Sequence, residues 1–251
     1  MTSSKREREY ERRRYEKWVQ RQAAHRARRR RLQVIVGSVL ALALVGVAVV
    51  AAVSLTGGST SAATPTASVP ASTPAPTGTV PDASLAQART WTGAMTLNSG
   101  TVDFTLDGAA APQAVASFVT LAQAGFFNGT TCHRLNPSMH ILQCGDPTAT
   151  GTGGPGYSFG PIENAPADGV YPAGTIAMAR TGNNGSSMGS QFFFVYADTT
   201  IPADTAGGYT VFGHITSGTD VLQAIADAGV QGGGSNGLPA STVTIEGVET
   251  Q

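Results

Sequence analysis

Lysine is absent from this 251-residue sequence after Lys17, and after Arg31 only three basic side chains remain, Arg89, Arg134 and Arg180. From Asp82 to Gln251 those three face twelve Asp and Glu, a net charge near −9. A surface of that sign repels a phosphate backbone, so nucleic acid is excluded as a partner of this part of the chain. Scarcity also makes each cation informative. Arg134 stands between Cys132-His133 and Leu135, in an apolar run where a cation needs a reason. Cysteine is almost missing as well. Cys132 and Cys144 are the only two, and Cys-x11-Cys without a second close pair of ligands makes no metal site. Asp103, Asp107 and Asp146 have no calcium-loop spacing. The glycine-rich run Gly151-Thr152-Gly153-Gly154-Pro155-Gly156 lacks the Lys-Ser/Thr ending of a phosphate loop. Nothing calls for a metal or cofactor.

The positive charge lies at the other end. Thirteen of the sixteen Lys and Arg fall between Lys5 and Arg31, and Arg28-Arg29-Arg30-Arg31 directly precedes a 22-residue uncharged run from Val34 to Leu55. At about 1.5 Å per residue such a run spans a hydrocarbon core of roughly 30 Å. It is expected to be a single transmembrane helix, with residues 1–33 a basic cytoplasmic tail and everything after Thr56 outside the membrane. A cleaved signal peptide is the alternative, but the basic segment and the apolar run are both long for one. Residues 56–88 are rich in Ser, Thr, Ala and Pro, with prolines at 65, 70, 74, 76 and 81. They read as a stalk, because they cannot bury enough apolar surface to offset their ordering entropy. Residues 89–251 have the size of one domain.

That domain reads as mainly β. Thr92–Leu97 and Thr101–Leu106 alternate around Asn98-Ser99-Gly100, a hairpin signal. Val115, Phe118, Val119 and Ala122 recur at helical spacing in Pro112–Ala124, which Gly125 ends, and a second helix is expected over Thr219–Ala228. Short apolar strands are expected near 131–135, 140–144, 174–179, 190–196, 209–214 and 241–248. Many strands, glycine-rich turns and two helices fit a barrel or a sandwich. In an oxidising compartment the two cysteines could form a disulfide if they face each other across neighbouring strands, or point to opposite faces and stay apart.

Two segments carry more than this pattern. Cys132-His133-Arg134-Leu135 runs on to Leu142-Gln143-Cys144-Gly145-Asp146-Pro147, and Gly174-Thr175-Ile176-Ala177-Met178-Ala179-Arg180 runs on to Gly189-Ser190-Gln191-Phe192-Phe193-Phe194. Together they resemble the cyclophilin family of peptidyl-prolyl isomerases, whose members carry a His-Arg strand, a Gln-x-Gly-Asp turn and a Gly-Ser-Gln-Phe-Phe strand in this order. The resemblance covers about 160 residues and implies a closed eight-stranded antiparallel barrel capped by two helices. It implies Arg134 as the catalytic hydrogen-bond donor with Gln143 supporting it. It further implies an apolar cup from Ile141 and Phe193, backbone recognition by Gln191, and pairing of Ala179, Arg180 and Thr181 with an extended peptide. The loop Asn136-Pro137-Ser138-Met139-His140 is one residue longer than the family norm, so the usual phenylalanine falls on His140 or Met139. The usual tryptophan aligns near Ile201, with Pro202 beside it, which implies weak cyclosporin binding. The far wall falls on Tyr209, after an insertion at Ala203–Gly208. His133 is expected to be structural. The implied activity is cis-trans rotation of X-Pro bonds in exported client proteins by a monomeric, membrane-tethered domain. The alternative is a non-catalytic module that holds proline-containing loops.

Overall fold

The computed structural model describes residues 78–251. The basic tail 1–33, the expected transmembrane helix 34–55 and the greater part of the stalk lie outside the described residues. Among the described residues no helix is long and apolar enough to cross a membrane.

Ten strands and two α-helices are present among the described residues: β1 (Thr90–Leu97), β2 (Gly100–Asp107), α1 (Pro112–Gln123), β3 (Arg134–Asn136), β4 (Ile141–Cys144), β5 (Val170–Tyr171), β6 (Thr175–Met178), β7 (Phe192–Val195), β8 (Thr199–Thr200), β9 (Val211–Ser217), α2 (Thr219–Ala228) and β10 (Ile245–Thr250). Eight strands form one antiparallel sheet in the order β10-β1-β2-β9-β6-β7-β4-β3, and β5 and β8 pair separately. The expected closed barrel is therefore corrected to a curled sheet whose terminal strands are β3 and β10. The seam between them is crossed by irregular backbone bonds rather than a ladder: Gly129 N donates to Ile245 O, Ile245 N to Thr130 O, and Cys132 N to Val243 O.

Local sequence explains the elements. On β1 and β2 the alternating Trp91, Met95, Leu97, Val102, Phe104 and Leu106 are buried, which places one face on the core. Gly93 leaves room for the Phe104 ring; a Cβ there would stand 2.6 Å from a ring carbon. Helix α1 begins at Pro112 and has no local cap, but the amides of Gln113 and Ala114 each donate to the Glu163 carboxylate at 3.0 Å. A distant acid thus satisfies donors that a helix start leaves free. The central strands β4, β6 and β7 are buried on both faces. Leu142, Ile176, Met178, Phe192 and Phe194 join the main core under α1, whereas Ile141, Ala177, Phe193 and Val195 form a second, smaller cluster with Tyr171, Ile201 and Val211. That second cluster carries the site.

Two expectations are corrected at the edges. Residues 81–88 belong to the domain, not to the stalk. Asp82 caps a short 3₁₀ helix at Ala83–Ala86, Trp91 Nε1 donates to Ala86 O at 2.9 Å, and Gln113 Nε2 donates to Pro81 O at 2.9 Å. The last strand starts at Ile245, later than expected, because the residues before it form the seam. The question over the cysteines is settled. Cys132 and Cys144 are bonded across the β3–β4 hairpin, with Cα atoms 3.9 Å apart, and both face the main core.

Phe118 of α1 holds the core together. Its ring lies within 6 Å of the rings of Phe104, Phe127, Phe192 and Phe212. Phe118→Ala should therefore lower the unfolding free energy by about 3–5 kcal/mol, read from urea denaturation followed by far-UV circular dichroism. A loss below about 1 kcal/mol would contradict this packing.

Candidate functional site

Strand register builds the site. Arg134 pairs with Gln143, Gln143 with Phe193, and Phe193 with Ala177, a row running across β3, β4, β7 and β6. Neighbours in register share a face, so all four side chains point the same way. The adjacent row, Leu135, Leu142, Phe194 and Ile176, points into the main core. Period-two alternation thus places an arginine and a glutamine beside an apolar cluster without burying either in the interior.

The polar groups form one directed chain. Arg134 Nη1 donates to Gln143 Oε1 at 3.2 Å, Gln143 Nε2 to Gln191 Oε1 at 2.9 Å, and Gln191 Nε2 to the Gly153 carbonyl at 2.8 Å. Arg134 Nε donates to Asn236 Oδ1 at 2.7 Å. A guanidinium has five N–H donors, so three remain for a ligand. No carboxylate pairs with Arg134 among the described residues. The half-buried guanidinium opens on a small cleft of about 50 Å³ lined by Met139, Ile141, Gln143, Ala179, Arg180, Phe193, Ile201 and Tyr209. Phe193 is only 2% exposed and forms its floor, packed edge-on against Tyr209 with centroids 5.4 Å apart.

A larger trough of about 970 Å³ adjoins this cleft and shares Gln143, Ala179 and Arg180 with it. Its other walls are residues 151–158, Thr181, Ser187 and residues 189–191. The glycine-rich wall is organised by Asp146, which is fully buried. Its carboxylate accepts from Thr148 N, Thr148 Oγ1, Gly151 N and Gly153 N. These bonds hold its pKa below the usual carboxylate value although burial opposes them.

Most of the expected site residues meet here. Arg134, Gln143, Met139, Ile141, Ala179, Arg180, Phe193, Ile201 and Tyr209 line the cleft, while Gln191 and the exposed Thr181 line the trough. Two expected residues do not. His140 turns away, with a left-handed backbone (φ 51°), its Nδ1 3.0 Å from Asp198 O and its ring against Tyr196. The longer loop closes as a turn, in which the Met139 amide donates to Asn136 Oδ1, so Met139 takes the inward place. Pro202 is exposed and outside both hollows. Arg180 serves as wall rather than as a ligand for peptide. Its side chain is 1% exposed and all its donors are used, on Gly208 O, Gly207 O, Thr181 O and both oxygens of Asp204. That pairing holds the Asp204 carboxyl well below its usual range. His133 is buried and neither ring nitrogen has a partner among the described residues; burial lowers its pKa. Sequence reasoning missed Asn236, whose only signal is the Asn236-Gly237 turn dipeptide, and Asp204, hidden in the insertion.

The chain matches the family model described as "Cyclophilin type peptidyl-prolyl cis-trans isomerase/CLD" over residues 93–250. It is 48% identical over 169 residues to the "Probable peptidyl-prolyl cis-trans isomerase B" of Mycobacterium tuberculosis, a match covering 61% of this chain and 52% of that protein. The chain thus spans about half the length of the mycobacterial relatives it matches. It is 38% identical over 157 residues to the "Peptidyl-prolyl cis-trans isomerase B" of Bacillus subtilis, covering 62% of this chain and 99% of that one. Among solved structures, a cyclophilin-type peptidyl-prolyl cis-trans isomerase of Cryptosporidium parvum superposes with TM-score 0.54 at 25% identity, over 65% of this chain and 98% of that one. The same protein crystallised in the presence of the dipeptide Ala-Pro gives 0.52 at 26%, over 64% of this chain and 98% of that one.

The depressed pKa of Asp146 fixes the sign of a pH effect. A carboxyl with a lowered folded-state pKa stabilises the fold above its unfolded value, near 4, and that contribution is lost as pH falls through the folded value. Asp146→Asn should cost about 2–3 kcal/mol at pH 7, and the gap between wild type and variant should narrow below about pH 4. Urea denaturation across that range checks both; a gap independent of pH would contradict the assignment.

Proposed function

Because the chain belongs to the cyclophilin-type peptidyl-prolyl cis-trans isomerase family, we propose that its domain accelerates rotation about X-Pro bonds, with Arg134 as the catalytic donor. The observation that carries this reading is the guanidinium at the mouth of an apolar cleft, tied on two sides and unpaired with any carboxylate among the described residues. The unaided bond has a rotation barrier of about 18–20 kcal/mol because the prolyl nitrogen lone pair is delocalised into the carbonyl. The ring of the proline enters the cleft over Phe193, between Met139 and Ile141. An N–H of Arg134 then meets the nitrogen as it leaves conjugation. That donor stabilises the twisted state more than either planar isomer, which is the condition for catalysis. Gln143 and Asn236 fix the guanidinium in advance, so no reorganisation is needed at the twist. The reaction makes and breaks no covalent bond and uses no metal or cofactor.

A second reading, a module that holds proline loops without turnover, draws support from the small volume of the cleft between Met139, Ile201 and Tyr209. A protease-coupled assay on an Ala-Pro peptide separates the two. Wild type should speed cis-to-trans relaxation, and Arg134→Ala should lower kcat/KM by about 10²–10³ while still folding. An unchanged rate in the variant would remove Arg134 from the mechanism.

The clients in this reading are exported polypeptides. Support for that lies in the basic segment and the 22-residue uncharged run that precede the domain, and in a disulfide suited to an oxidising compartment. The domain then acts outside the membrane on a single-pass anchor. Carbonate extraction should leave the full chain in the membrane fraction, and protease added to intact cells should remove the domain. Release by carbonate, or protection from protease, would refute the topology.

A further inference from the structure

The three arginines of the domain are paired differently. Arg89 lies over the Trp91 ring at 3.8 Å, Arg134 holds two neutral amides, and Arg180 alone meets a carboxylate among the described residues. Asp204 Oδ1 accepts from Arg180 Nη2 and Oδ2 from Nη1, each at 2.9 Å. The two partners are unequally covered. The Arg180 side chain is 1% exposed and that of Asp204 29%, so solvent meets the anion of the pair and not the cation. Yet Arg180 lines both the cleft and the trough, with its guanidinium carbon 4.7 Å from the centre of the Tyr209 ring. Asp204 is held in that covering place. Its carboxylate also accepts from Asn183 N at 2.8 Å and Ala206 N at 2.9 Å. Its backbone exchanges both bonds with Gly207, at 3.0 and 3.1 Å, which closes the insertion as a turn. Thr205 Oγ1 donates to Asn183 Oδ1 at 2.8 Å and ties that turn to the segment after β6.

We propose that Asp204 sets the charge selectivity of the site: by covering Arg180 it withholds a second cation from the client, so an acidic residue beside the proline brings no advantage. The proposal rests on the reading of the cleft as a proline site. A bare Arg180 would compete with Arg134, because an unpaired guanidinium takes a carboxylate with two parallel hydrogen bonds. It would draw an acidic neighbour of the proline to the wall between the two hollows and hold the client by that side chain. With Asp204 in place the wall is neutral overall. The field left on the client is that of Arg134 and of a domain whose net charge is near −9. The substrates this arrangement favours are X-Pro bonds with neutral or basic neighbours.

The test uses the full chain in detergent and peptides that differ only in charge. Glu is compared with its isostere Gln, placed directly before or directly after the proline, and isomerisation is read by two-dimensional exchange NMR. In wild type the Glu-over-Gln ratio of kcat/KM should be at most about one at both places. Asp204→Asn should raise that ratio at least about threefold at one of them, the scale of a single charge felt near contact distance. Salt at about 1 M should remove most of the gain. Asp204→Glu, which keeps the charge, should keep the wild-type ratio, and adding Arg180→Gln to Asp204→Asn should restore it. A turn merely loosened by the substitution would shift Glu and Gln peptides alike, so an Asp204→Asn ratio equal to wild type at both places would overturn the proposal. A wild type that already prefers Glu severalfold would overturn it without any variant. A raised ratio that survives Arg180→Gln would do the same, since the cation felt would then not be Arg180. If wild type accelerates none of these peptides, the failure lies with the proline-site reading itself.

Discussion

Arg134 can only donate hydrogen bonds, and that one-sidedness orients everything around it. Gln143 must turn its oxygen toward the guanidinium, which leaves its amide nitrogen facing Gln191; Gln191 then turns its own nitrogen to the Gly153 carbonyl. A single cation thereby sets the direction of a chain that ends in the glycine-rich wall. Asp146 anchors that wall from behind through the amides of Gly151 and Gly153. The cleft and the wall of the trough are therefore one polar structure, laid along the outer face of a sheet whose other face is aromatic core.

Arg134 and Arg180 show how the same side chain serves two ends in one cleft. Arg180 is fully paired: two bonds to Asp204, three to carbonyls, and a tyrosine ring 4.7 Å below its guanidinium carbon. Nothing is left for a ligand, so it is a wall that ties the Ala203–Gly208 insertion to the cleft. Arg134 is half paired, by two neutral amides, and keeps both its charge and three donors. Neutral partners matter here. A carboxylate would fix the guanidinium as firmly but would cancel the field that a twisting amide nitrogen responds to. The scarcity of cations in the domain acts in the same direction, since the described residues hold no lysine to add a second charge beside it.

Much of this was legible in the sequence, and for definable reasons. Arg134, Gln143 and Phe193 sit in the short motifs that carry the family resemblance, and the first helix announced itself by periodicity and a glycine stop. Other parts depended on contacts between distant residues. Asn236 reaches Arg134 across about a hundred positions, and Glu163 caps α1 from fifty positions away. The β5–β8 pair is two residues long on each side, too short to alternate. The inward choice between Met139 and His140 turned on the backbone of one extra loop residue, which pattern alone leaves open. Whether the cysteines met was a matter of which face each took, and the seam settled it by pulling the chain before β3 toward Val243.

Placing the donor on β3 solves one problem and creates another. β3 is a terminal strand of the sheet, laddered only to β4 and bridged on its other side at Leu135–Gly237 alone, so no further strand of the sheet stands beside Arg134. A terminal strand of three residues is also the part of a sheet most ready to fray. The fold answers with ties from several directions. The disulfide joins the residue two before Arg134 to the residue after Gln143. Leu135 exchanges both backbone bonds with Gly237, at 2.7 and 3.1 Å, and Cys132 N donates to Val243 O. Asn236, carried on the same loop as Gly237, reaches the guanidinium itself. These ties come from three stretches of chain, at Cys144, at Asn236-Gly237 and at Val243. A terminal strand thus becomes a fixed mount for a side chain whose chemistry depends on where its N–H points.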